Sequence, residues 1–303
     1  MRRTEFLMSF FIIILLLPKV KAQSVSAAEL VRVPFTSHHH KEQKEYFLYL
    51  PAGYRSNPDR KWPVMMFLHG NGERGNGRED LDWVMVHGPL YEAWIQKRDL
   101  PFIIIAPQLP MYGMDTINYI RDRKVEQIPK RLEEGVSERS QEFLTPQKMA
   151  PETPVAFLPN ALPPSGWEKE EDDLLDMVAT ALVVYHGDPD QVYLTGLSYG
   201  GFGTWYMASK YPKIWAAICP VVGWGHPDLM KPIADHQIPV WEFAGGRDQN
   251  VSLKYFYAGL NRLEELGHKD VRFTIEEDMG HDAWRRVYGG EDVYDWLLSK
   301  RRK

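Results

Sequence analysis

Gly196-Leu-Ser198-Tyr-Gly200 sets a hydroxyl between two glycines, after the apolar run QVYLT and before YGGFGTWYMASKY, which can be helical. That spacing suits a strand reversing sharply into a helix, because a Cβ at either flank would crowd a strained serine. A serine hydroxyl is a poor nucleophile at neutral pH. Chemistry at Ser198 therefore requires an imidazole to take its proton and a carboxylate to orient that imidazole. His281 in EEDMGHDAW and Asp248 in AGGRDQN each follow a strand-like run, and the chain order is serine, acid, histidine. Asp278 is the rival acid, but it shares the short loop of His281 and would struggle to reach Nδ1. Asp235 precedes its strand and so falls at the wrong end of the sheet.

A tetrahedral intermediate places negative charge on a former carbonyl oxygen, and rigid backbone N–H donors stabilise it. The amide of Tyr199, the residue after the serine, is one candidate donor. The glycine-rich turn in FLHGNGERG offers the second, at Asn71 or alternatively Gly70, with His69 at the end of its buried strand. Glu73 and Arg74 are expected to hold this loop by ion pairing. The loop lacks the Gly-Lys-Ser/Thr ending of a P-loop. Trp224, Trp284 and Gln108 stand near the same loop ends and are candidates to line a substrate cleft. The run His38, His39, His40 has no accompanying carboxylate or cysteine spacing, so a surface loop is expected there rather than a metal site.

These residues need a scaffold that brings loops from distant strands together. EYFLYLP (45–51) alternates like a strand near a sheet edge, while PVMMFLHG (63–70) and PFIIIAPQ (101–108) are continuous apolar runs, as strands buried on both faces would be. EKEEDDLLDMVATALVVYHG (168–187) opens with acids and closes on a glycine, as a helix does. A strand at 191–196, a helix at 199–210 and strand-like segments at 214–223, 239–245 and 271–277 follow, with helices at 253–267 and after Gly290. Strands alternating with helices predict an α/β fold, a mostly parallel sheet with helices on both faces. Residues 110–167 break this rhythm with charges and prolines and read as a partly helical, lid-like insertion.

The chain has 303 residues, 44% of them hydrophobic, and a formal net charge of −5. That is enough to bury a large core, and it gives no basic footprint for nucleic acid. Arg2 and Arg3, the apolar stretch from Phe6 to Leu17 and a small residue at Ala22 have the form of a cleaved secretory signal over residues 1–22. The stretch is shorter than the roughly 20 residues of a membrane-spanning helix. Residues 23–303 would then form one domain, secreted or periplasmic, with no stable membrane insertion. Cys219 is the single cysteine, so no internal disulfide is possible.

Taken in order, FLHGNGERG, IIIAPQ, VYLTGLSYGGFGTW, YPKIWAAICPVVGW, FAGGRDQNV and MGHDAW resemble the α/β-hydrolase superfamily. Within it the chain is most similar to secreted carboxylesterases often labelled predicted peptidases, related to the phospholipase/carboxylesterase, feruloyl and acetylxylan esterase and polyhydroxybutyrate depolymerase groups. The resemblance implies Ser198 as nucleophile, Asp248 as acid, His281 as base, and Tyr199 with Asn71 as oxyanion donors. It implies a serine hydrolase without cofactor or metal, acting on small-molecule or saccharide-linked esters. A serine peptidase on the same residues and a non-catalytic binding protein on the same scaffold are the alternatives. The acid loop reads AGGRDQNV where such enzymes often carry a histidine-glycine pair before the aspartate. The insertion exceeds the short connection expected there and would roof the cleft and restrict substrate size.

Overall fold

The computed structural model describes residues 25–139, 164 and 166–302. The expected leader, residues 1–22, lies outside the described residues. Eight strands form one sheet: β1 (Glu29–Thr36), β2 (Gln43–Leu50), β3 (Trp62–Leu68), β4 (Ile103–Ala106), β5 (Gly187–Leu197), β6 (Ala217–Val221), β7 (Val240–Gly245) and β8 (Val271–Glu276). Their order across the sheet is β1-β2-β4-β3-β5-β6-β7-β8. β2 pairs antiparallel with both β1 and β4, and every pairing from β4 to β8 is parallel.

β3 and β4 are buried along their whole lengths, because parallel strands in this position have helices against both faces. On one face Met65, Phe67, Tyr193, Cys219 and Phe243 pack with Tyr288, Tyr294 and Trp296 from the C-terminal helices Trp284–Gly289 and Asp292–Leu298. On the other, Val64, Met66, Leu194 and Ile218 pack with residues of the helices Glu171–Val183, Tyr199–Lys210 and Met230–Asp235. The alternation of in and out along each strand therefore divides the core into two layers.

The segment at 45–51 lies near the sheet edge, as expected, but the edge strand itself is β1, whose eight residues ELVRVPFT went unread because they alternate between half-buried and exposed and include Arg32 and Pro34. Proline fits there, since an edge strand has one row of amides without a ladder partner. The strand at 214–223 shortens to Ala217–Val221. Of the insertion, the described part contains only short helical turns at Met114–Thr116, Asn118–Arg121, Val125–Gln127 and Trp167–Glu170. Residues 140–163 and 165 lie outside the described residues. Among the described residues, no helix is long and apolar enough to cross a membrane.

The chain leaves β3 toward β4 on one side and returns to β5 on the other, so the connections at their carboxyl ends diverge. That divergence opens a crevice at the end of the sheet, the usual position of a ligand site in an open parallel sheet. Closing the helix Tyr199–Lys210 onto it demands glycine. A Cβ on Gly200 would lie 1.8 Å from the carbonyl oxygen of Leu68, and one on Gly196 would lie 2.3 Å from that of Gly200. The obstacle is backbone in both cases and cannot swing away. Gly200→Ala is therefore expected to cost at least about 3 kcal/mol of stability; a thermal unfolding curve superimposable on that of the wild type would contradict this packing.

Candidate active site

Ser198 directly follows β5 with φ 52° and ψ −115°, a left-handed conformation that a serine adopts only under constraint. The constraint is visible in the hydrogen bonds: Ser198 N–H donates to Val221 O at 2.9 Å, and Phe202 N–H donates to Ser198 O at 3.2 Å. The turn lifts the hydroxyl off the sheet, where His281 Nε2 lies 2.9 Å from Oγ. His281 Nδ1 lies 2.7 Å from Asp248 Oδ2. The other oxygen of Asp248 accepts from the amides of Asn250 and Val251, each at 2.8 Å. With one oxygen committed, the buried carboxylate turns the second toward the ring and fixes the Nδ1–H tautomer, leaving Nε2 free to accept from the serine.

The loops carrying Asp248 and His281 are bonded to each other. Gly246 N–H donates to Glu276 O and Arg247 N–H to Met279 O, both at 2.9 Å. Gly245 permits this contact, because a Cβ there would lie 2.1 Å from Gly280 O. Asp278, the rival acid, is engaged elsewhere: both its oxygens accept from Arg286, at 2.6 and 2.9 Å. Asp235 pairs with Lys231 on its own helix.

Tyr199 and Asn71 each open a helical turn, the position at which an N–H has no carbonyl of its own helix to bond. Both line one cavity of about 680 Å³ together with Ser198 and His281. The Asn71 side chain is pinned at both ends: Oδ1 accepts from Arg74 Nε at 2.5 Å, and Nδ2 donates to the Tyr119 hydroxyl at 2.5 Å. His69 beneath it is wholly buried; its Nε2 accepts from Leu109 N–H at 2.8 Å, which leaves Nδ1–H to donate to Gly70 O at 2.6 Å. Burial pushes its pKa down to about 3, consistent with a neutral ring that braces the turn.

The expected ion pairing of Glu73 and Arg74 is not found. Adjacent residues on a tight turn point in different directions, and Arg74 runs beneath the loop to Pro110 O at 2.7 Å, with its guanidinium 4.8 Å from the Tyr199 ring centre. Among the described residues no carboxylate lies within ion-pairing distance of Arg74. Glu73 lines the cavity, and burial pushes its carboxyl up to about 7.

Trp224 also lines the cavity, packed edge-on against Phe202, and so does Trp284, which stands edge-on to His281. Gln108 does not. Its Oε1 accepts from Gly77 N–H, and its Nε2 donates to Glu73 O and Asp80 O, so the side chain serves backbone groups of the 73–80 loop that would otherwise be buried without partners. His87, Tyr119, Phe202, Asn250 and Tyr255 complete much of the lining and carried no sequence signal beyond their nearness to the loops. Tyr119 belongs to the insertion, and Arg123, also from it, donates to Gly72 O and Arg74 O at 3.0 and 2.6 Å. The histidine run lies at the surface, with His38 beside Asp176, and the described residues contain no group of side chains suited to a metal.

Glu73 carries a pH-dependent cost. Its folded pKa of about 7 exceeds its ordinary value of 4.5, so burial costs nothing below pH 4.5, progressively more up to pH 7, and a constant amount above. Glu73→Gln is expected to match the wild type in stability near pH 4 and to exceed it by about 2 to 3 kcal/mol at pH 8. Urea unfolding at the two pH values measures this; an equal difference at both would refute a buried, upshifted carboxyl.

No protein-family model matches the chain, and no curated protein is significantly similar to it in sequence. Solved structures are similar in fold. A thermostable esterase superposes with a TM-score of 0.59 at 24% identity, over 90% of this chain and 63% of its own. This chain thus spans less than two thirds of that protein's length. A ferulic acid esterase gives a TM-score of 0.57 at 14% identity, over 90% of this chain and 97% of its own. An acylaminoacyl peptidase of Pyrococcus horikoshii gives 0.54 at 14%, over 94% of this chain and 43% of its own. With its mostly parallel eight-stranded sheet, helices on both faces and a serine at the turn after β5, the chain has the α/β-hydrolase fold.

Proposed function

We propose that the protein is an exported serine hydrolase that cleaves carboxylic esters through an acyl-enzyme. The reading rests on the relay from Ser198 Oγ to His281 Nε2 at 2.9 Å and from His281 Nδ1 to Asp248 Oδ2 at 2.7 Å. Ser198 Oγ attacks the ester carbonyl while its proton passes to His281, and Asp248 holds the imidazolium in place. The amides of Tyr199 and Asn71 receive the oxyanion. Collapse of the intermediate expels the alcohol, which takes the proton from His281, and water then repeats the sequence on the acyl-serine. Export is proposed from the leader-like residues 1–22, and the insertion at 110–167 is proposed to roof the cavity. The fold likeness to an acylaminoacyl peptidase keeps a second reading in play, a peptidase on the same residues.

A fluorophosphonate probe should label the wild type at Ser198, should not label Ser198→Ala, and should label His281→Ala at least about a thousandfold more slowly. Absence of labelling in the wild type would favour a binding protein over an enzyme. A panel of small esters set against chromogenic peptides separates the two enzymatic readings: turnover of peptides alone would overturn the esterase assignment.

A further inference from the structure

Glu73 is a carboxyl in the cavity that holds Ser198, and among the described residues no lysine or arginine lies within ion-pairing distance of it. It closes the short turn Asn71–Glu73, two positions after the Asn71 amide, and is only 7% exposed. Its Oε2 is fully buried and makes no hydrogen bond. The nearest ring nitrogens are His69 Nδ1 and His87 Nε2, both at 3.8 Å. Burial depresses both imidazoles to about 3, so neither supplies a positive charge. Of the neighbouring guanidiniums, Arg74 bonds Asn71 and Pro110, and Arg123 bonds Gly72 and Arg74 and pairs with Asp80, so that Arg123 attracts Glu73 only from beyond ion-pairing distance. No lysine or arginine occurs among the described residues that line the cavity. The rest of its wall is rich in aromatic rings, among them Tyr119, Trp224, Tyr255 and Trp284.

We infer that Glu73 and these rings form a subsite for a protonated amine, so that the ester this site accepts carries an alkylammonium or arylalkylammonium group. A buried anion is stable only when paired, and the protein offers Glu73 only the backbone amides of Gly70 and Glu73 and the longer-range attraction of Arg123 and His281, which together leave its carboxyl pushed up to about 7. An ammonium donates a charge-assisted hydrogen bond to the carboxylate and presents its remaining charge to aromatic faces, which attract cations. A neutral hydroxyl meets the first need and not the second. A carboxylate-bearing substrate meets neither and is repelled. The fold retains this carboxyl although it costs stability above pH 4.5, as a group held for binding would.

The inference rests on the proposed esterase reading for its consequence, but binding alone tests it. Calorimetric titration of the full chain at pH 8 with benzylammonium chloride and with benzyl alcohol compares a cation with a neutral molecule of nearly equal shape. Benzylammonium is expected to bind at least about tenfold more tightly to the wild type, as a paired buried charge requires. In Glu73→Gln, which keeps the shape of the side chain, that ratio should fall close to one. Equal affinities in the wild type, or a preference that survives in Glu73→Gln, would overturn the subsite. Failure of Ser198 to react with the fluorophosphonate would instead overturn the hydrolase reading and leave the calorimetric result intact.

Discussion

Gly200 lies so close to the carbonyl of Leu68 that no side chain fits between them. This contact joins the amino end of one helix to the carboxyl end of β3, the strand beside β5. It forces the intervening chain to turn within a single residue, Ser198, whose backbone accepts positive φ as the consequence. Once that turn is made, the serine hydroxyl and the first amide of the helix both face the crevice where the connections from β3 and β5 part. The strain is offset by two backbone hydrogen bonds and by the packing of Phe202 and Trp205 further along the helix.

A second close approach, Gly245 against Gly280, does for the histidine what the first does for the serine. It lets two loops from different strands share backbone hydrogen bonds, so that Asp248 and His281 are fixed relative to each other before either meets Ser198. Arg286 adds to this by gathering Glu276 and Asp278 at the base of the histidine loop. The buried Asp248 then has one direction left in which to face. Geometry of this kind resists water and thermal motion better than a lone surface contact, because both oxygens of Asp248 and both ring nitrogens of His281 already have assigned partners.

Much of this was legible in the sequence because it was written in backbone chemistry. Glycines around Ser198 announced the turn, and the apolar runs before Asp248 and His281 marked strand ends that the sheet gathers at one rim. The helix at 199–210 has the boundaries its sequence predicts. What could not be read depended on partners distant in the chain. β1 has the half-polar pattern of an edge, which only its register with β2 explains. Gln108 looked like a cleft residue by position, but its amide answers to three backbone groups that the sequence does not reveal as buried. Glu73 and Arg74 looked like ion-pairing braces of the loop because both carry charge; a tight turn sends them in different directions, one into the cavity and the other beneath it.

The bonds from residues 110–123 to the 71–74 loop carry one more implication. Pro110, Tyr119 and Arg123 hold Arg74, Asn71 and Gly72 respectively, so the segment that borders the cavity mouth is also a brace for the amide at its floor. Swinging that segment outward would strip several polar groups of their partners at roughly 1 to 3 kcal/mol each. A bulky guest that widened the entrance would thereby slacken the turn that carries the Asn71 amide.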